Sequence, residues 1–171
     1  CEDFVRDKDA VSACVILAEI AAWAKDQGLS LYQLLQKIYV EYGFSKEKGI
    51  SVVKKGKSGA EEIEAMMKKF RENPLTEIAG SKVTYFYDYS TLKGKDYAEN
   101  ETVTLDMPTT SNVLQYFTED NTKVSIRPSG TEPKIKFYCE VHSKVKSIDE
   151  LPEAEKAAEE KINQIKASLG I

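Results

Sequence analysis

One short segment near the end of the chain concentrates groups that bind anions. RPSGTEPK begins at Arg127 and ends at Lys134, and it holds Ser129, Gly130 and Thr131 between them. Arg127 offers a planar fork of donors that suits phosphate oxygens, and the hydroxyls add further donors. Gly130 leaves the backbone open to a ligand, and successive N–H groups in a turn can form an anion-binding nest. The segment predicts a phosphate-binding loop, in which Lys134 adds positive charge.

The same segment is also compatible with a plain connection between two strands. Its prolines and its glycine are common turn residues, and alternating residues precede and follow them. A binding loop requires Arg127, Ser129 and Thr131 to converge on one solvent-filled notch, whereas in a plain turn they can point apart. Another phosphate-binding pattern is incomplete: Gly56-Lys57-Ser58 resembles the end of a Walker A motif, but Ser51 stands where that motif needs its first glycine.

The overall charge and the cysteine content narrow the class of protein. A net charge of −4 and a pI near 5.2 argue against broad nucleic-acid or anionic-membrane binding, which needs a basic face. The longest apolar run, residues 10–24, is too short and too interrupted to span a bilayer. Three scattered cysteines and one histidine, His142, predict neither a disulfide framework nor a zinc site, and we expect a cytoplasmic protein.

Two helices are predicted at the start of the chain. Asp9 can cap the first, which runs to about Gln27. Ser30 and Gln33 form a capping box at the start of the second, and Gly43 ends it. Two helices alone cannot bury so much apolar surface, so we expect the sheet on which they pack to lie upstream of this chain.

The remaining residues, from about 46 onward, alternate between strand and helix patterns. ISVVKK is a strand candidate, and Ser58 with Glu61 predicts a capped helix after it. KVTYFYDY, NVLQYFT, KVSIR and KIKFYCEVH read as further strands, TVTLDM as a short extra one, and a last helix begins near Pro152. Two helices on one face of an antiparallel sheet make an α+β domain. We therefore place the domain boundary between 1–45 and 46–171.

The loop and its surroundings resemble a known family. RPSGTEPK is similar to the phosphate-binding signature in the C-terminal domain of the α-D-phosphohexomutases, the phosphoglucomutase and phosphomannomutase family. FVRDKDAVSA and LYQLLQKIYVEYG resemble the end of that family's third domain, so the likeness covers nearly the whole chain. It implies that 1–45 holds the two closing helices of domain III, an α/β/α domain. It also implies that 46–171 is domain IV, an antiparallel sheet with two helices on one face, like that of the TATA-box-binding protein.

The resemblance also implies a reaction. The family's enzymes are magnesium-dependent intramolecular phosphotransferases that interconvert hexose 1-phosphate and hexose 6-phosphate through a hexose 1,6-bisphosphate. Their phosphoserine, magnesium and sugar-recognition motifs have no match in this sequence. We therefore expect the C-terminal part of a longer enzyme, one that binds sugar phosphate together with domains I–III and is inactive by itself. The sugar is left open, and a stand-alone phosphate or sugar-phosphate binding module remains the alternative.

Individual residues of this sequence match functional residues of the family. Arg127, Ser129, Gly130 and Thr131 match the clamp that holds the phosphate which is not being transferred, and Lys134 is a weaker candidate. Lys8 matches a lysine of the family's RDKD segment that reaches the active site, and we expect a catalytic role for it. The plainer interpretation of that segment is a charged start to a helix.

Overall fold

The computed structural model describes residues 8–54 and 56–171, which divide into two compact units. One unit holds the described residues up to Phe44 together with Lys144–Leu151. The other holds Ser45–Ser143 and Pro152–Ile171. This division falls beside the predicted boundary between residues 45 and 46, but it places the short 144–151 segment with the first unit. The assignment of the units to domains III and IV stays a prediction.

The first unit is built on two capped helices. Helix α1, Ala10–Asp26, begins after Asp9, whose carboxylate accepts a hydrogen bond from the Ser12 backbone N–H at 3.0 Å. Several large apolar side chains of α1 remain exposed, among them Trp23. The position of Asp9 confirms the predicted cap, because a side-chain oxygen there satisfies an amide that has no partner within the helix.

Helix α2, Leu31–Tyr42, also begins and ends where the sequence indicates. The Gln33 side chain accepts from the Ser30 N–H at 2.8 Å, and the Gln33 N–H donates to the Ser30 hydroxyl at 3.2 Å. The two bonds form the reciprocal capping box. Gly43 is the C-cap, and α2 also contacts a short 3-10 helix, Ile148–Glu150.

The second unit is an antiparallel sheet combined with two helices, which confirms the α+β class. Its described strands lie in the order β1-β8-β7-β6-β3-β4-β5, with β2 beside β3, and each pair whose register is defined is antiparallel. The strands are β1 Phe44–Val53, β2 Glu77–Ile78, β3 Ser81–Asp88, β4 Lys93–Asp96, β5 Glu101–Thr104, β6 Leu114–Thr118, β7 Lys123–Pro128 and β8 Lys134–Ser143; the helices are α3 Gly56–Glu72 and α4 Leu151–Leu169.

The two helices cover one face of this sheet. The Phe70 ring of α3 lies 6.2 Å from that of Phe137 on β8. Cys139 lies two positions further along β8, and therefore on the same face, and it is buried. Burial raises the pKa of the Cys139 thiol to about 11, which keeps it protonated near neutral pH. Lys166 on α4 is close enough for its positive charge to act in the opposite direction and lower the pKa of the Cys139 thiol. We call the opposite face of the sheet the open face.

Tyr116 on β6 joins the sheet to the end of α3. Its ring is fully buried, and its hydroxyl donates to the Phe70 carbonyl at 3.0 Å. That carbonyl would ordinarily accept from the N–H four residues later, but this residue is Pro74, which has no N–H. The Tyr116 hydroxyl therefore satisfies a carbonyl that the proline leaves without a donor.

Replacing Tyr116 with phenylalanine should destabilise the chain by about 1–2 kcal/mol, because it removes the donor and leaves a buried carbonyl unsatisfied. Urea unfolding measures the free energy of unfolding. Tyr138→Phe is the matched control, since Tyr138 is exposed on β8 and its hydroxyl forms no hydrogen bond to the described residues. Equal stability of the two variants would contradict the role given to the Tyr116 hydroxyl.

Candidate phosphate-binding site

The hairpin loop, residues 129–133, connects β7 to β8 and is held by backbone hydrogen bonds. The Ser129 N–H donates to the Lys134 carbonyl at 2.8 Å and closes the hairpin. The Glu132 N–H donates to the Ser129 hydroxyl at 3.3 Å. On its far side, the Pro133 carbonyl accepts from the Lys54 N–H at 2.9 Å, just after the end of β1. The loop is thus fixed to two strands of the sheet.

Gly59 leaves room for the backbone at Lys54, whose N–H holds the Pro133 carbonyl. A Cβ atom at Gly59 would lie 2.6 Å from the carbonyl carbon of Lys54 and 2.7 Å from its oxygen. Both are backbone atoms, which cannot move aside as a flexible side chain can. The first turns of α3 therefore pack directly on the backbone that holds Pro133, and only glycine leaves enough room.

Gly130 and Thr131 present backbone donors at the tip of the hairpin. Their N–H groups have no backbone acceptor among the residues that the structure describes. The backbone φ of Gly130 lies outside the left-handed region, and an added Cβ would meet no atom within 4 Å. The fold alone therefore tolerates a side chain at Gly130, and the glycine instead leaves the space in front of these amides open to a ligand.

A cleft of about 780 Å³ lies between the hairpin loop and α3. Residues 128–133 form one wall, so Ser129, Gly130 and Thr131 all border it. The other wall is one face of α3, continued by Asn112 before β6. Its α3 residues are Gly56, Ala60, Ile63, Glu64, Met67, Lys68 and Arg71. The volume is typical of a site for a small molecule.

Arg127 lies on the open face of the sheet rather than among the residues that line the cleft. Side chains alternate along β7, so that Ile126 is buried and Arg127 is exposed. Its partner across β8 is Lys136. The Arg127 guanidinium forms no ion pair within the described part of the chain, so this cation is not neutralised by a neighbouring carboxylate.

Lys134 is already paired. Its ammonium group contacts the Glu132 carboxylate, and the hydrogen bond and charge of Lys134 hold the pKa of Glu132 below its ordinary value. The pair is internal to the hairpin, so Lys134 adds less net positive charge to the loop than Arg127 does.

Lys8, the other candidate, belongs to the first unit. It is exposed and immediately precedes Asp9, the N-cap of α1. This position agrees with a charged start to the helix and leaves a catalytic role as a prediction. Arg6 and Asp7 of the same segment lie outside the described residues.

Three residues that border or support the cleft were not found from the sequence. Arg71 donates through Nε to Asp88 at 3.0 Å and through an Nη to Asn112 at 2.8 Å. Asp88 is buried and also accepts from the Ser90 N–H at 3.0 Å. Arg71 stands in the last turn of α3, where a basic residue has an ordinary role beside the helix carboxyl end. A carboxylate next to the end of the predicted strand KVTYFYDY was the available signal.

The described part of the chain has no candidate metal site and no candidate membrane-spanning helix. In the described ranges, no group of three or more His, Cys, Asp or Glu side chains could hold a metal ion. Likewise, none of the helices in those ranges is long and apolar enough to cross a bilayer.

The known proteins that are similar to this chain include phosphoglucomutases. A sequence model of the phosphoglucomutase/phosphomannomutase C-terminal domain matches residues 50–158. A phosphoglucomutase of Staphylococcus haemolyticus is 37% identical over 82% of this chain and 25% of its own length. One of Staphylococcus aureus is 38% identical over 80% of this chain and 24% of its length.

A solved structure is also similar, the open form of the phosphoglucomutase parafusin from Paramecium. The similarity covers 85% of this chain and 24% of the parafusin chain, at 16% identity and a TM-score of 0.47. The chain spans about a quarter of the length of the curated relatives it matches. From the family model and these two relatives, the chain belongs to the phosphoglucomutase/phosphomannomutase family, and its residues 50–158 correspond to the family's C-terminal domain.

Proposed function

We propose that this chain supplies the substrate phosphate-binding part of a phosphohexomutase, which moves a phosphoryl group between C1 and C6 of a hexose. One observation carries the proposal: the hairpin loop presents two hydroxyls and two backbone amides that have no acceptor among the described residues, and it follows Arg127 at the end of β7, which has no carboxylate partner among those residues. Such a set of donors suits a dianion. The match to the family's C-terminal domain supports the same assignment.

Within this proposal, Arg127, Ser129, Gly130 and Thr131 hold the phosphate that is not being transferred. Binding this remote group fixes the sugar so that its other end faces the reacting residues, and remote binding energy thereby contributes to positioning. Lys134 supports the loop mainly through its pair with Glu132. Lys8 would neutralise phosphoryl charge or assist proton transfer to a hydroxyl.

The proposal assigns the remaining chemistry to other parts of the enzyme. Domains I–III would be the chain's partners in the same polypeptide, and they would supply the phosphoserine and the ligands for magnesium. A bound magnesium ion would neutralise charge on the phosphoryl group. Hexose 1,6-bisphosphate would be the intermediate, and the cytoplasm the compartment.

The loop can be tested by titrating the chain with inorganic phosphate and following backbone amide resonances. We expect the amides of Gly130 and Thr131 to shift, and Gly130→Ala to lower phosphate affinity roughly tenfold or more, since the new methyl occupies the space in front of the donors. Gly49→Ala is the matched control, because Gly49 also has open space and an ordinary φ. Loop amides that stay unmoved at millimolar phosphate would refute the proposed site.

A second assay separates binding from catalysis. The chain alone, given glucose 1-phosphate, a trace of glucose 1,6-bisphosphate and magnesium, should form no glucose 6-phosphate above background. Turnover by the chain alone would contradict the assignment of the phosphoserine and the metal to other domains.

A further inference from the structure

The cleft continues well beyond the hairpin loop. Its α3 wall extends from Gly56 to Arg71, which is about 22 Å along a helix that rises about 1.5 Å per residue. A phosphate bound at Ser129 and Thr131 would therefore leave most of the cleft for the body of the ligand. This inference rests on the proposed function, because it concerns the part of the ligand that the phosphate carries.

The charges along the cleft are balanced. Among its described lining side chains, the cations are Arg71 and Lys68, and the acids are Glu64 and Glu132. Asp88 further neutralises the positive charge of Arg71, because its Oδ2 lies 3.0 Å from the Arg71 Nε. A second dianion gains little from such a surface, whereas a neutral group that donates and accepts hydrogen bonds suits it.

Arg71 is held rigidly at this part of the cleft. Asp88 fixes its Nε and Asn112 fixes one Nη, and the side chain is partly exposed. A guanidinium has five N–H donors, so three remain for a ligand. Asn112 uses its side-chain carbonyl oxygen for Arg71, and its NH₂ group has no hydrogen-bond partner among the described residues.

The floor of the cleft is apolar where it meets this polar group. Ile63 and Met67 line it and are otherwise buried among the core residues. Carbon-bound hydrogens of a sugar ring can pack on such a floor while its hydroxyls bond to planar polar side chains. Met67 and Arg71 are four residues apart, so these two features lie about one turn of α3 apart.

We propose that Arg71, positioned by Asp88 and assisted by Asn112, is a ligand-binding residue for the hydroxyls of a monophosphorylated sugar whose phosphate is held by the hairpin loop.

Titrations with glucose 6-phosphate, inorganic phosphate and glucose test the proposal. Glucose 6-phosphate should shift the Asn112 side-chain amide and the Met67 methyl together with the loop amides, while phosphate shifts the loop amides alone. Arg71→Ala should lower glucose 6-phosphate affinity roughly tenfold and change phosphate affinity less than about twofold. Asn112→Ala should do the same to a smaller extent, without removing the partner of Asp88.

Lys69→Ala is the control, because Lys69 is exposed on α3, carries the same charge and does not line the cleft. Urea unfolding establishes that each variant is folded under the titration conditions. Equal loss of affinity for both ligands in Arg71→Ala and Asn112→Ala would show a merely structural role and overturn the inference.

The outcomes also separate the two proposals. Loop amides that respond to phosphate, with an Asn112 amide and a Met67 methyl that ignore glucose 6-phosphate, overturn the inference and leave the proposed function standing. Loop amides that respond to neither ligand refute both.

Discussion

Replacing Arg127 with alanine should lower the affinity of the chain for inorganic phosphate by about 10- to 100-fold. A hydrogen bond to a charged group contributes about 1.5–3 kcal/mol, and every 1.4 kcal/mol corresponds to a factor of ten. Arg127 is exposed and pairs with no carboxylate in the described part of the chain, so its removal should leave the fold intact. The dissociation constant from amide shifts measures the effect.

Lys136→Ala is the matched control for Arg127→Ala. Lys136 faces Arg127 across β8, lies on the same face of the sheet and carries the same charge. If Arg127 contacts the phosphate, the lysine variant should lose less than about threefold in affinity, since it changes only the surrounding field. Comparable losses in the two variants would mean that phosphate responds to the general positive potential and that Arg127 makes no direct contact.

The largest loss of stability is expected from Asp88→Ala, at about 2–3 kcal/mol near pH 7. Asp88 is only 5% exposed, and its removal leaves Arg71 without its ion pair and the Ser90 N–H without its acceptor. Urea unfolding measures the change. Asp106→Ala, which removes the same charge from an exposed position, should be close to neutral.

The effect of Asp88 should depend on pH. Burial by itself raises the pKa of Asp88, but the hydrogen bonds from Ser90 and the charge of Arg71 outweigh it and hold the pKa below its ordinary value. A group with a depressed pKa in the folded state contributes stability above its unfolded pKa, about 3.9, and loses it as the pH falls through the folded pKa. The stability difference between the parent chain and Asp88→Asn should therefore shrink below about pH 4. A difference that stays constant from pH 7 to 3 would contradict an ionised Asp88.

The local parts of the fold were predictable because their signals lie within a few residues. Asp9 and Ser30 cap helices through bonds to residues three positions away. Strands β7 and β8 show their alternation directly in the sequence. The start of α3 was predicted wrongly: Ser58 lies inside the helix, which begins at Gly56. Gly56 has a positive φ of +75° and begins the helix two residues before Ser58, so the Ser58–Glu61 signature does not stand at the helix start.

The nonlocal parts of the site could not be predicted in the same way. Strand β4, with the sequence KGKD, has no strand-like alternation and exists because β3 and β5 pair on either side of it. Arg71 reaches Asp88 over 17 residues and Asn112 over 41. Only the packing of α3 against the sheet brings these three side chains together, and a single sequence carries no record of that packing.

The alternation of side chains along β7 limits where a phosphate can sit. Arg127 projects from the open face, while Ser129 and Thr131 border the cleft on the helical face. A phosphate that all three contact has to lie beyond the last residue pair of the hairpin, off the edge of both faces. When its sugar is not bound in the cleft, a ligand held at that point by its phosphate can turn about the phosphate ester bond. The hairpin tip would then act as a pivot, which retains the molecule while the orientation of the sugar changes.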